Sequence, residues 1–200
     1  MRVIDTIEAL EALYGTPGEA SLTKVTDRLI ATYGDWIARA RFVVLATVGP
    51  EGVDASPRGD DGPVVKIGDD KTLLLPDWRG NNRIDTLRNI VRDGRIALMF
   101  MVAGSDTVLR VNGTAVVSDD PQLTERFEQR GKHPRTVIVV SIAEVYPQCS
   151  RALMRAGLWG QGDQSEGLPT IGDMLAEVKA GFDGAGYDRD WAVRAPKSLW

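Results

Sequence analysis

Residues 75–94, LPDWRGNNRIDTLRNIVRDG, put positive charge where a helix disfavours it. The three- and four-residue spacing of Ile84, Leu87, Ile90 and Val91 predicts an amphipathic helix over 82–92, capped by Asn81 or Asn82 and closed by Gly94. The start of a helix carries partial positive charge and unpaired N–H groups, so Arg79 and Arg83 are repelled there unless an anion is bound. A phosphate resolves the conflict. So does a plainer arrangement, in which both arginines face water or pair with Asp77 and Asp85.

Three further clusters carry candidate chemistry. Asp54-Ala55-Ser56-Pro57-Arg58-Gly59-Asp60 offers a hydroxyl and a guanidinium fork suited to phosphate or to the carbonyls of a planar ring. The alternative is a polar turn with an internal Arg58–Asp60 pair. In Leu109-Arg110-Val111-Asn112-Gly113-Thr114, period-two alternation puts Arg110 and Asn112 on one face, where a solvated role is the simpler reading. Arg151, Arg155 and Trp159 are spaced four apart, hence on one face of a short helix. They could cover a flat anionic ligand or contact another subunit.

The elements that must position these residues follow from periodicity. The first forty residues read as helices, with Ile4, Ile7, Leu10 and Leu13 on one face and Leu22, Val25, Leu29 and Ile30 on another. After Trp36 the pattern becomes that of strands, expected at 42–48, 53–57, 64–67, 72–75, 96–102, 108–117 and 136–145. Helices are expected at 82–92, 121–130, 150–158 and 170–179, and the last twenty residues read as a polar tail whose Trp191 and Trp200 pack on the body or on a partner. Six or seven antiparallel strands with short hairpins favour a closed or nearly closed barrel.

Composition removes several classes. A net charge of -4 and a pI near 5.1 argue against a nucleic-acid or anionic-membrane binder. The lone Cys149 leaves no intrachain disulfide, and the lone His133 argues against a multi-histidine metal cage or a Ser-His-Asp triad. The N-terminal MRVIDTIEALEALYG lacks the basic and apolar regions of a signal peptide, so a soluble cytoplasmic protein is expected.

Four segments, FVVLATVGPEGVDASPRGDDG, TLLLPDWRGNNRIDTLRNI, DTVLRVNGTAVVSDD and RALMRAGLW, together resemble the FMN-binding split-barrel family related to pyridoxamine 5'-phosphate oxidase. The likeness is to a bacterial branch in which Ser-Pro-Arg-Gly-Asp and Gly-Asn-Asn-Arg recur, and it runs from Phe42 to about Trp159. It implies a mainly β (α+β) fold, a six-stranded antiparallel split β-barrel with flanking helices, assembled as a homodimer with FMN in clefts at the interface. The domains implied are an N-terminal helical extension over 1–40, the barrel over 41–160, and a C-terminal helix and tail over 161–200. By the same resemblance Ser56 and Arg58 line the flavin and its phosphate tail, and Arg79, Asn82 and Arg83 meet the phosphate. Arg155 and Trp159 come over the flavin from the second subunit. The basic and aromatic set with which the characterised oxidase holds pyridoxal phosphate is not found, so the family name does not give the substrate.

The reading that follows is an FMN-dependent oxidoreductase passing hydride between flavin N5 and a small substrate, with no protein nucleophile required. A non-catalytic flavin carrier or redox sensor, a haem-binding relative of the barrel and a deazaflavin-dependent reductase are the alternatives.

Overall fold

The computed structural model describes all residues 1–200. Seven strands form one antiparallel sheet: β1 (Phe42–Gly49), β2 (Gly52–Gly59), β3 (Lys66–Asp69), β4 (Thr72–Asp77), β5 (Arg95–Met101), β6 (Val108–Ser118) and β7 (Thr136–Gln148). Their order is β2-β1-β5-β6-β7-β4-β3. Eight helices flank it: α1 (Ile7–Tyr14), α2 (Glu19–Thr23), α3 (Ala31–Ile37), α4 (Asp85–Arg92), α5 (Pro121–Thr124), α6 (Arg151–Ala156), α7 (Ile171–Val178) and α8 (Gly184–Arg194). This is the expected antiparallel split barrel, with seven strands instead of six because the short β3 adds an edge to β4.

Alternation builds the core. Val43, Leu45 and Thr47 of β1 face inward opposite Phe100, Leu98 and Ile96 of β5, and all six are buried. Leu73 and Leu75 of β4 and Ile138 and Val140 of β7 continue the same apolar interior. Ile37 of α3 and Ala40 are fully buried in it, and Val64 N–H donates to the Ala40 carbonyl.

Helix α4 lies across β1 and β2. Ile90 enters the core, while Asn89 Nδ2 donates to the buried Thr47 hydroxyl at 3.2 Å. Val91, expected on the inward face, is exposed, and Thr86 and Asn89 take buried positions. Polar partners on β1 and β2 make that exchange favourable. The helix begins at Asp85 after a left-handed Ile84, and no side chain caps it, so neither Asn81 nor Asn82 is its cap. Asn82 is itself left-handed, with φ of 60°, and the Asn81 Oδ1 accepts from the Arg83 backbone N–H instead.

Other expectations shift at the ends. The helix expected over 121–130 is one turn, Pro121–Thr124, and the segment after it runs into a reverse turn where Arg130 and Gly131 take positive φ and Gln129 bridges to Lys132. Gly157 in the left-handed region stops α6 at Ala156, so Trp159 lies beyond the helix and shares no helical face with Arg151 and Arg155. The final stretch is not simply a tail: α8 packs on α7 where Gly172 and Gly184 let the backbones meet, and Asp188 accepts from Thr170 Oγ1 and Gly172 N. The face of Ile4, Ile7, Leu10 and Leu13 is exposed, and α1 buries none of its residues.

Candidate functional site

The split of the barrel is where the chemistry gathers. β2 is one edge of the sheet and β4 lies next to the other, so their residues meet only because the sheet curls. Arg58 at the end of β2 reaches across to Asp77 at the end of β4, Nη1 to Oδ1, at 2.5 Å. Both side chains are about one-fifth exposed, which makes this the least exposed ion pair in the molecule. Arg58 Nε also donates to the Ser56 hydroxyl at 3.4 Å, and that hydroxyl pairs with Thr86 of α4 at 3.1 Å. A side-chain chain thus ties β4 to β2 and β2 to α4.

Asp60, two residues on, forms a second tie. Its carboxylate accepts from Trp78 Nε1 at 2.7 Å, Gln129 Nε2 at 2.9 Å and Trp200 Nε1 at 3.2 Å. The internal Arg58–Asp60 pair, one of the two readings of that loop, does not form. Each partner has been taken by a residue distant in sequence.

Beside these ties lies a groove of about 1050 Å³, just above the usual size of small-molecule and cofactor sites. Ser56, Arg58, Arg79, Asn82 and Arg83 all line it. So do Lys132, His133 and Arg135 from the turn before β7, which sequence reasoning left out, and Asp77, Trp78, Thr86 and Trp200. Only the adjacency of Asp77 and Trp78 to Arg79, and the presence of tryptophan in the tail, could have pointed to them.

The cations differ in circumstance. Arg83 Nε donates to Asp85 at 2.8 Å from a side chain that is 76% exposed, one of the two arrangements the sequence left open. Arg79 is exposed and lies in no ion pair. His133 Nδ1 is held by the Phe127 carbonyl at 2.6 Å. The perturbed carboxylates lie outside the groove: hydrogen bonds from Arg28 and Lys71 hold Asp27 low, and those from Arg95 hold Asp93 down at about 2.

Arg155 and Trp159 do not line the groove. Trp159 donates its indole N–H to the Ser105 carbonyl in the β5–β6 turn, and Arg155 is exposed on α6. Arg110, the other strand arginine, stacks on the Tyr146 ring at 5.2 Å, and Asn112 donates to Glu144, so that cluster is structural.

The family model for pyridoxamine 5'-phosphate oxidase matches residues 29–149, which span the whole sheet. The chain belongs to that family. Among solved structures, HupZ from Group A Streptococcus superposes with a TM-score of 0.50 at 19% identity, over 60% of this chain and 93% of that one. An FMN-binding protein from Syntrophomonas wolfei gives a TM-score of 0.46 at 11% identity, over 72% and 97%. An F420 reductase gives 0.42 at 19%, over 60% and 97%. At such identities the likeness is one of fold. No curated protein matches the chain.

Proposed function

We propose that the groove binds FMN and that the protein is an FMN-dependent oxidoreductase acting on a small substrate. The observation that carries this reading is the convergence of Arg79 and Arg83 on the uncapped N-terminal end of α4 inside a groove of cofactor size. Asp85 offsets Arg83, but Arg79 has no carboxylate partner, so positive charge remains in excess beside a positive helix end, and a phosphate monoester suits that demand. Arg79, Asn82 and Arg83 would hold the phosphate, with Ser56 and Arg58 along the remainder of the cofactor. FMN, when bound, supplies the two-electron redox chemistry, and the protein's part is to bind, orient and shield.

The fit extends to the chain's other polar groups. Arg58 is fixed by Asp77 and Ser56, so it presents charge to a ligand in one orientation with little left to order on binding. His133 is anchored to Phe127 through Nδ1, which leaves Nε2 as its ring nitrogen for a ligand.

We also propose a homodimer. Met154, Leu158 and Trp159 are each more than two-fifths exposed around α6, and a second copy of the chain would cover them. Light scattering at the dimer mass is the expected result.

Purification followed by an absorbance spectrum and an FMN titration tests the cofactor directly. The oxidised-flavin spectrum and saturable quenching of FMN fluorescence are expected, with riboflavin binding more weakly. A protein that binds neither would remove the proposal.

A further inference from the structure

Leu199 and Trp200 lie against the groove. Leu199 lines a small cavity of about 250 Å³ beside it, Trp200 lines the groove itself, and the two spaces share Pro57, Arg58, Trp78, Arg79 and Gly80. Three anchors hold Trp200. Its indole N–H donates to Asp60 Oδ1 at 3.2 Å, the Arg130 guanidinium lies 4.6 Å from the ring centroid, and Lys132 Nζ donates to its main-chain oxygen at 2.8 Å. Arg130 stands in the left-handed region with φ of 51°, a conformation unfavourable for a side chain of that size. The strained turn is what carries both Arg130 and Lys132 to the tryptophan.

We propose that Leu199–Trp200 is a strap that closes the outer wall of the groove and sets the rate at which a flavin-sized ligand enters and leaves. The anchors suit a reversible closure. Asp60 keeps Trp78 and Gln129 as donors when Trp200 leaves, so opening strands no buried carboxylate. Lys132 and Arg130 are surface cations that water can solvate once released. Immediately before the strap, Ser198 is tied back to the Arg194 and Ala195 carbonyls at 3.0 and 3.4 Å, which fixes the chain at the point from which Leu199 and Trp200 would move. The inference rests on the FMN reading of the groove, and it assigns Trp200 to admission of the ligand, separate from the arginines that hold it.

Stopped-flow mixing with FMN tests the strap in the full chain, comparing parent, Trp200→Ala and Trp200→Phe. Loss of the ring should raise the association and dissociation rates together, each about tenfold, as expected when a hydrogen bond to a carboxylate and a ring–cation contact are removed. Phenylalanine keeps the ring on Arg130 but cannot donate to Asp60, so its rates should fall between the other two. It also carries the test if the alanine variant does not fold. Rates within about twofold of the parent, with FMN still bound, overturn the strap and leave the cofactor reading standing. Faster dissociation with unchanged association overturns it as well, because that marks Trp200 as a ligand contact and no barrier. Failure of the parent to bind FMN overturns both.

Discussion

Arg79 and Arg83 stand at the same helix end but are not electrostatically equal. Arg83 is shared with Asp85, whereas Arg79 has no carboxylate partner, so a phosphate gains more from Arg79. Arg79→Ala should weaken FMN binding by about ten- to hundredfold, the loss expected for a charge-assisted hydrogen bond of about 1.5–3 kcal/mol. Arg83→Ala should cost less than that, and riboflavin affinity should be unchanged in both. Fluorescence titrations with the two ligands decide it, and equal loss for riboflavin would remove the phosphate assignment. Asp77 tests a different property. Cutting it to alanine leaves Arg58 four-fifths covered without its partner, and should lower stability in urea by about 1–3 kcal/mol. An unchanged urea midpoint would mean that the pair does not close the split.

The bulge in β7, where Ala143 is the extra residue opposite Asn112 and Gly113 of β6, decides whether the long β6–β7 ribbon can bend. Register shifts between Asn112 and Gly113, and a Cβ at Gly113 would lie 2.0 Å from the Ser141 backbone oxygen. Neither strand can yield, because both pair on their other sides. Gly113→Ala should therefore destabilise by about 2–4 kcal/mol, measured by thermal or urea unfolding. A variant as stable as the parent would show that the bulge relaxes. Strands such as β1 and β5 were legible in the sequence because strict alternation and buried β-branched runs leave one register that hides the apolar face. The bulge was not, since nothing around Ala143 marks an extra residue and nothing around Gly113 separates a glycine facing a bulge from an ordinary one. The turn at Arg130–Gly131 was hidden for a similar reason: it is accompanied by the Gln129–Lys132 bridge and by the contact of Arg130 with Trp200, both outside local propensity.

Across the whole molecule the N-terminal segment divides in two. α1 buries none of its residues, while Ile37 of α3 is completely enclosed by the barrel and Thr26 bridges to Val145. Deleting residues 1–15, which hold α1, should leave the thermal midpoint of the isolated chain within a few degrees of the parent, about the size of a change below 1 kcal/mol. Deleting through Ile37 should prevent folding, because it opens a cavity in the centre of the core. Circular dichroism melts of the two truncations check both. A large fall for the shorter deletion would show that α1 has a partner, and the second copy of the chain would be the first place to look.

The sequence by itself determined the strand series, the antiparallel class, the amphipathic helix before β5 and the cluster of arginines and asparagines that precedes it. These are local quantities, set by periodicity and by charge beside a helix end. It also marked Trp200 as too apolar for a free tail. Only the tertiary structure decided that Arg58 pairs with Asp77, that Asp60 gathers Trp78, Gln129 and Trp200, and that Lys132, His133 and Arg135 face the same groove as Arg79. Those contacts join opposite ends of one curled sheet, and the C-terminal residue to a loop 140 positions earlier. The twist and curl that bring them together are summed over all seven strands, so no window of the sequence contains them.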